Sequence, residues 1–304
     1  MISLTRLRDL DLATTTSPGR PLHLSAASGL ACIGDWFYVV ADDELHLGVF
    51  RANSDEPGNL IRLFEGELPN SKSKRKKRKP DLEALTRLPP REESPFGTLL
   101  AFGSGSRPNR RAGALLDLDA KGGTSGAARV VDFSEFFALL DECFTALNIE
   151  GAVVAGEEFC LLQRGNKTVN RNAIIRYPLS TIMAALPNGR IGAIEPVAIE
   201  DFDLGDIGGV PLSFTDGAAL LDGRFAFSAV AEDTESSYED GRCVGAALGV
   251  IDRDRLVLVR NLDRPHKIEG LHALLDGNSI KLLLVTDDDD PAIPAGLFSA
   301  TLEF

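Results

Sequence analysis

Four carboxylates, Glu83, Glu150, Asp216 and Glu269, stand at matching points along the chain. Each is followed by a small residue (Ala84, Gly151, Gly217 or Gly270) and then by an apolar run. A fifth copy opens with Ser28–Gly29, and successive small residues lie 53 to 67 positions apart. Acids gathered from such copies around one centre would repel unless protonated or bound to a cation. No His or Cys occupies a matching position, so the donor set would be oxygen only. That set suits a hard cation, Ca²⁺ ahead of Mg²⁺, because Ca²⁺ accepts six to eight oxygens in irregular geometry. Glu83, Glu150, Asp216 and Glu269 are therefore the candidate metal ligands. The alternative is that each acid accepts hydrogen bonds from backbone amides of the neighbouring copy and needs no metal. No nucleotide-binding or other organic-cofactor motif is present.

A second group of polar residues recurs after each apolar hairpin: Asp42, Arg107 and Arg110, Arg164 and Asn166, Glu232, and Asp287 at the head of an Asp run. Two short strands and a turn return the chain to its starting level, at about 3.3 Å per residue. Both ends of each hairpin then share one face. Ser28, Asp42, Arg107, Arg110, Arg164, Asn166, Glu232 and Asp287 are the candidate ligand-binding residues there, the arginines suited to a small anionic ligand.

The elements that must carry these residues read as strands. In the fourth copy, "GAALL", "RFAFSAV", "VGAALGVI" and "RLVLVRNL" are short runs of strand-forming residues. Asp-Gly pairs at 222–223 and 276–277 suit tight hairpins. Four strands per copy, arranged radially, predict an all-β propeller. Five copies predict five blades in one domain over 1–304, with blades at 26–68, 81–133, 148–203, 214–263 and 267–304. Residues 2–12 would supply the last strand of the fifth blade and close the ring. A six-bladed ring is the alternative. Residues 134–146, with Ser134 as N-cap, and 179–186 read as helical insertions.

The net charge of −13 argues against nucleic acid as a partner. No apolar stretch is long enough for a membrane span, and no secretory signal pattern opens the chain. The four cysteines are widely spaced, which suits a reducing, cytoplasmic setting. A monomer is expected. Only "SKSKRKKRKPD", at 71–81, breaks the acidic trend. It reads either as a solvated loop or as a patch for a phosphorylated or acidic partner.

"KIEGLHALLDGNSIKLLLVTDDDDP", "NIEGAVV" and "FTDGAAL" resemble blade motifs of the phytase-like and SdiA-regulated bacterial β-propellers. "KPDLEALTRLP", "LLAFGSGSRPNRRAG" and "CLLQRGNK" look like an uncharacterised family within that circle. The resemblance implies a metal-bearing pore and, in some branches, hydrolysis of esters or phosphoesters. It carries over only to Glu83, Glu150, Asp216 and Glu269; Ser28 departs from the acidic pattern, and no catalytic histidine can be mapped.

No nucleophile elbow or Walker A motif occurs. A glycosidase would fit the acids but lacks aromatic platforms, with one Trp and three Tyr in the chain. Two classes of function follow. One is a non-catalytic propeller whose acidic, Ca²⁺-bearing face binds a small anionic ligand or a protein partner. The other is a metal-dependent hydrolase of phosphoesters, esters or lactones.

Overall fold

Short runs of Val, Leu, Phe and Ala, each ended by a Gly or Asp turn, pair with their sequence neighbours because hairpin connections leave little else within reach. In the computed structural model, which describes residues 1–234 and 241–304, they form five antiparallel sheets. After β1 (Thr5–Asp9), blade one contains β2 (Ala27–Ile33), β3 (Trp36–Ala41), β4 (His46–Arg51) and β5 (Asn59–Arg62). Blade two follows with β6 (Leu82–Leu88), β7 (Thr98–Gly103), β8 (Ala112–Leu118) and β9 (Thr124–Asp132). Blade three has β10 (Ile149–Ala155), β11 (Glu158–Gln163), β12 (Asn172–Pro178) and β13 (Ala198–Phe202).

Blade four opens with the two-residue β14 (Asp206–Ile207). It continues through β15 (Val210–Ala219), β16 (Phe225–Asp233), β17 (Arg242–Asp252) and β18 (Arg255–Asn261). Blade five is β19 (Ile268–Asp276), β20 (Ser279–Thr286) and β21 (Gly296–Glu303), completed by β1 against β21. The chain is a five-bladed β-propeller whose ring closes through its N-terminal strand. Pairing of β1 with β21 removes a free sheet edge, which would otherwise invite association.

The inner strands β2, β6, β10, β15 and β19 each lie against the inner strands of both neighbouring blades. Five apolar clusters fill the wedges between blades. The largest, between blades two and three, is enlarged by two helices, α2 (Ser134–Cys143) and α3 (Leu179–Ala185), where Phe136 and Phe137 are fully buried. Both helical insertions lie where the sequence placed them, although Ser134 is the first helical residue rather than the cap. The Asp132 carboxylate accepts its N–H instead, at 2.8 Å.

The basic run is not an open loop. Residues Lys72–Arg78 form α1, a short helix that lies against the axial face. Arg75 fixes it there. Its guanidinium donates to Glu44 Oε1 at 2.8 Å and to the Asp43 carbonyl at 2.7 Å, and it is almost fully buried.

Candidate functional site

Each inner strand enters the ring through a β-bulge. The register slips at Ala27/Gly29, Leu82/Ala84, Ile149/Gly151, Phe214/Asp216 and Ile268/Gly270. A bulge leaves one residue outside the ladder and bends the strand. Here the extra residues are Ser28, Glu83, Glu150, Thr215 and Glu269. The apolar residue before each one (Ala27, Leu82, Ile149, Phe214, Ile268) is fully buried, so alternation sends the residue before that to the polar face as well. Asp81, Asn148, Ser213 and Lys267 are those residues in blades two to five, and all four line the axial pocket.

The fourth blade corrects the sequence alignment by one position. Thr215, not Asp216, stands at the bulge, and Asp216 fills the place that Gly29, Ala84, Gly151 and Gly270 hold elsewhere. In the other blades a small residue stands there, where adjacent inner strands nearly touch. A Cβ on Gly151 would come within 2.9 Å of Asp216 Oδ1 and 3.1 Å of its Cα. Asp216 turns away from the pocket. Its Oδ2 accepts the Leu271 N–H of blade five at 2.7 Å, and its Oδ1 accepts the N–H of Gly217 at 2.7 Å. Burial raises its pKa well above the ordinary value, against the pull of those two amides. Thr215 Oγ1 meets Ser228 Oγ at 2.9 Å inside its own blade.

The pocket is a small cavity of about 80 Å³, room for a few waters or a compact polar group. Among the described residues, seven carboxylates line it: Asp42, Asp81, Glu83, Glu150, Glu232, Glu269 and Asp287. Five cations face them: Lys76, Lys79, Arg110, Arg164 and Lys267. Arg164 donates to Glu150 Oε2 at 3.1 Å and to Glu232 Oε2 at 2.5 Å. Arg110 donates to Asp81 Oδ2 at 2.6 Å. Lys79 bonds Asp42 and stands 2.9 Å from Asp81 Oδ1.

Burial alone would lower the Lys79 ammonium, but Asp42, Asp81 and Glu83 hold its pKa well above the usual lysine range. Burial, then the neighbouring acids, pushes Glu83 well above the carboxylate range. Burial likewise raises Glu269, although Arg164 and Lys267 oppose it. Glu269 is distinctive in its bonding. It is 5% exposed and, among the described residues, neither carboxylate oxygen has a hydrogen-bond partner. Its nearest cations, Arg164 and Lys267, stand 3.7 Å away.

A family model matches residues 23–302 of this chain. The chain belongs to DUF6929, a family of unknown function. No curated protein matches the sequence. Among solved structures, the DUF6929 chain is similar to a putative glycoside hydrolase from Parabacteroides distasonis. That likeness covers 100% of this chain and 98% of the other, at 11% identity and TM-score 0.52. A glycosyl hydrolase from Bacteroides ovatus covers 98% and 93% at 9% identity and TM-score 0.48. A luciferin-regenerating enzyme covers 93% and 92% at 10% identity and TM-score 0.47. At such identities the likeness is one of fold alone, and no residue role passes to this chain.

The DUF6929 pocket brings together Ser28, Asp42, Glu83, Arg110, Glu150, Arg164, Asn166, Glu232, Glu269 and Asp287 from the residues singled out in the sequence. Asp216 and Arg107 do not line it. Ser28 is partly spent as a blade staple, donating to the Leu82 carbonyl of blade two. None of the four histidines lines the pocket. Sequence reasoning passed over Lys76, Lys79, Asp81, Asn148, Ser213 and Lys267 as pocket residues. The signal for four of them was present as polar–apolar–polar triplets: "DLE", "NIE", "SFT" and "KIE".

The donor chemistry around a metal differs from the expected set. Asp42, Asp81 and Glu83 bring one ligand atom each within 4.8 Å of one another, and such an acidic triad could hold a metal ion. Only Glu83 belongs to the expected four. The Lys79 ammonium stands on two members of the triad, and Arg164 takes Glu150. Two of the three triad members, Asp42 and Asp81, thus already face a cation.

Proposed function

We propose that this propeller is a binding module whose axial pocket captures a small hydrophilic ligand carrying hydroxyl or ammonium donors. The observation that supports this reading most strongly is Glu269, a buried carboxyl group facing the pocket with no hydrogen-bond partner among the described residues. A buried acceptor without a partner costs about 1–3 kcal/mol, more when charged, so a donor brought by a ligand is favoured. The excess of carboxylates over cations points the same way. An anionic ligand, expected from the arginines, is less well supported, because Arg110 and Arg164 already serve carboxylates.

Thermal-shift screening with small polyols, primary amines and, for contrast, phosphorylated sugars tests this. The expected hit is a polyol or amine whose stabilising effect disappears in Glu269→Gln. Hits that survive that substitution unchanged, or only phosphorylated hits, would reject it.

The acidic triad favours a second reading, the one implied by the resemblance to phytase-like propellers. There Ca²⁺ binds at Asp42, Asp81 and Glu83 and the protein hydrolyses phosphoesters, esters or lactones. It requires Lys79 to leave the triad. Calcium-dependent turnover of aryl phosphates, aryl esters or lactones would support it, and inactivity with and without calcium would retire it. We also infer a reducing compartment from the four unpaired cysteines. No helix among the described residues is long and apolar enough to cross a membrane.

A further inference from the structure

The geometry points to Lys79 as a tethered counter-cation, which occupies the carboxylate triad of the axial pocket and keeps divalent metal out of it. The inference deepens the binding-module reading by fixing the cation chemistry of the same site, and it rests on different side chains from the Glu269 argument.

The polybasic helix delivers this lysine. Arg75 anchors the helix to Glu44 and Asp43 of blade one, and Lys72 Nζ donates to the Asp289 carbonyl of blade five at 2.8 Å. At the far end, Asn109 Nδ2 of blade two donates to the Lys79 carbonyl at 2.9 Å. The segment is thus held from three blades, and the Lys79 side chain extends from it into the pocket. The ammonium bonds Asp42, stands 2.9 Å from Asp81, and is surrounded by the three acids whose ligand atoms cluster within 4.8 Å. Lys79 is 8% exposed, so water contributes little to its solvation.

Two features of an ammonium make it a competitor rather than a companion of a metal. It donates hydrogen bonds to the same carboxylate oxygens that Ca²⁺ would take as ligands. It also repels a second cation at short range, strongly so where water is excluded. Arg110, 2.6 Å from Asp81 Oδ2, adds a second fixed positive charge on the triad. The dense basic run thus supplies the counter-charge that the acidic ring would otherwise draw from a metal.

The test compares Ca²⁺ binding by wild-type protein and by Lys79→Met, which keeps the unbranched stem as far as Cε and removes the ammonium. In calorimetric titration with CaCl₂, the wild type should bind weakly or not at all. The variant should gain at least ~10-fold in affinity, with one ion per chain and a melting midpoint raised by several degrees in calcium relative to EDTA. Adding Asp42→Asn to the variant should abolish the gain. Equal calcium binding by wild type and variant would overturn the inference, as would a folded variant that takes no calcium. Should Lys79→Met not fold in EDTA, recovery of its circular dichroism on adding CaCl₂ supports the inference. If it folds in neither condition, Lys79→Gln takes its place, and tight calcium binding by the wild type alone still overturns the idea. None of these results depends on Glu269, so a failed ligand screen and a failed calcium test are separable.

Discussion

Blades three and four begin alike, with Asn148–Ile149–Glu150 and Ser213–Phe214–Thr215, and end with carboxylates in opposite roles. Glu150 stands at the bulge, faces the pocket and holds Arg164. Asp216 comes one residue later, sits in the ladder and staples blade four to blade five through the Leu271 amide. In a strand, one residue of shift moves a side chain to the other face. An acid at the mouth of a propeller blade is therefore a pocket wall or a structural staple according to where the bulge falls.

The comparison can be broken most forcefully on the pocket side at Arg164. Replacing it with Ala leaves Glu150, Glu232 and Glu269 buried without their shared cation, and urea unfolding should show a loss of about 3–5 kcal/mol. On the staple side, Asp216→Ala strands two buried amides and should cost roughly 2–4 kcal/mol. A comparable loss in Glu269→Gln would erase the distinction between wall and staple. Next in size is Gly270→Ala, whose new Cβ would lie 2.5 Å from Val285 Cγ2 and 3.1 Å from the Gly29 Cα. Overpacking at that blade contact should cost about 1–3 kcal/mol. Glu269→Gln should stay within about 1 kcal/mol of wild type or be more stable, because the carboxyl it replaces has no hydrogen bond to lose and burial already opposes its ionisation.

In pH dependence, two aspartates should slope in opposite directions. Burial, against the pull of Lys267, lifts Asp287 to about 8 in the folded protein. Its folded value exceeds the unfolded one, near ~3.9. The cost of ionising it is complete above pH 8 and vanishes below ~4, so its contribution improves as pH falls through that window. Asp117, outside the pocket, is held below the carboxylate range chiefly by hydrogen bonds from Arg129, with Ser94 and Thr98 adding to them. Its stabilisation is present above pH ~4 and lost as acid protonates it through its depressed folded value. Stability-versus-pH curves of Asp287→Asn and Asp117→Asn should each flatten only their own window.

Much of the fold was legible because a propeller repeats one local pattern. The recurring polar-small-apolar openings and Asp-Gly turns identify four-stranded units, and five such units leave the first strand to complete the last blade. The pocket's membership was partly legible for the same reason, since hairpin length returns both ends to one face. The error at Asp216 arose because "TDG" matches "IEG" by chemistry, while a bulge is fixed by hydrogen-bond register between strands. The basic run was misjudged because its composition reads as solvated. Nothing local announces that Arg75 and Lys79 have carboxylates waiting for them from the turn after β3 and from the segment leading into β6.

What the sequence alone determined is therefore periodic: five blades, their strands, and a face rich in carboxylates. Tertiary structure decided which of those carboxylates look inward and which cation each one meets. Periodicity is set by short-range alternation along the chain, whereas charge pairing at the axis depends on side chains from separate blades converging where water is scarce. There a one-residue register shift or a single tethered lysine outweighs residue type.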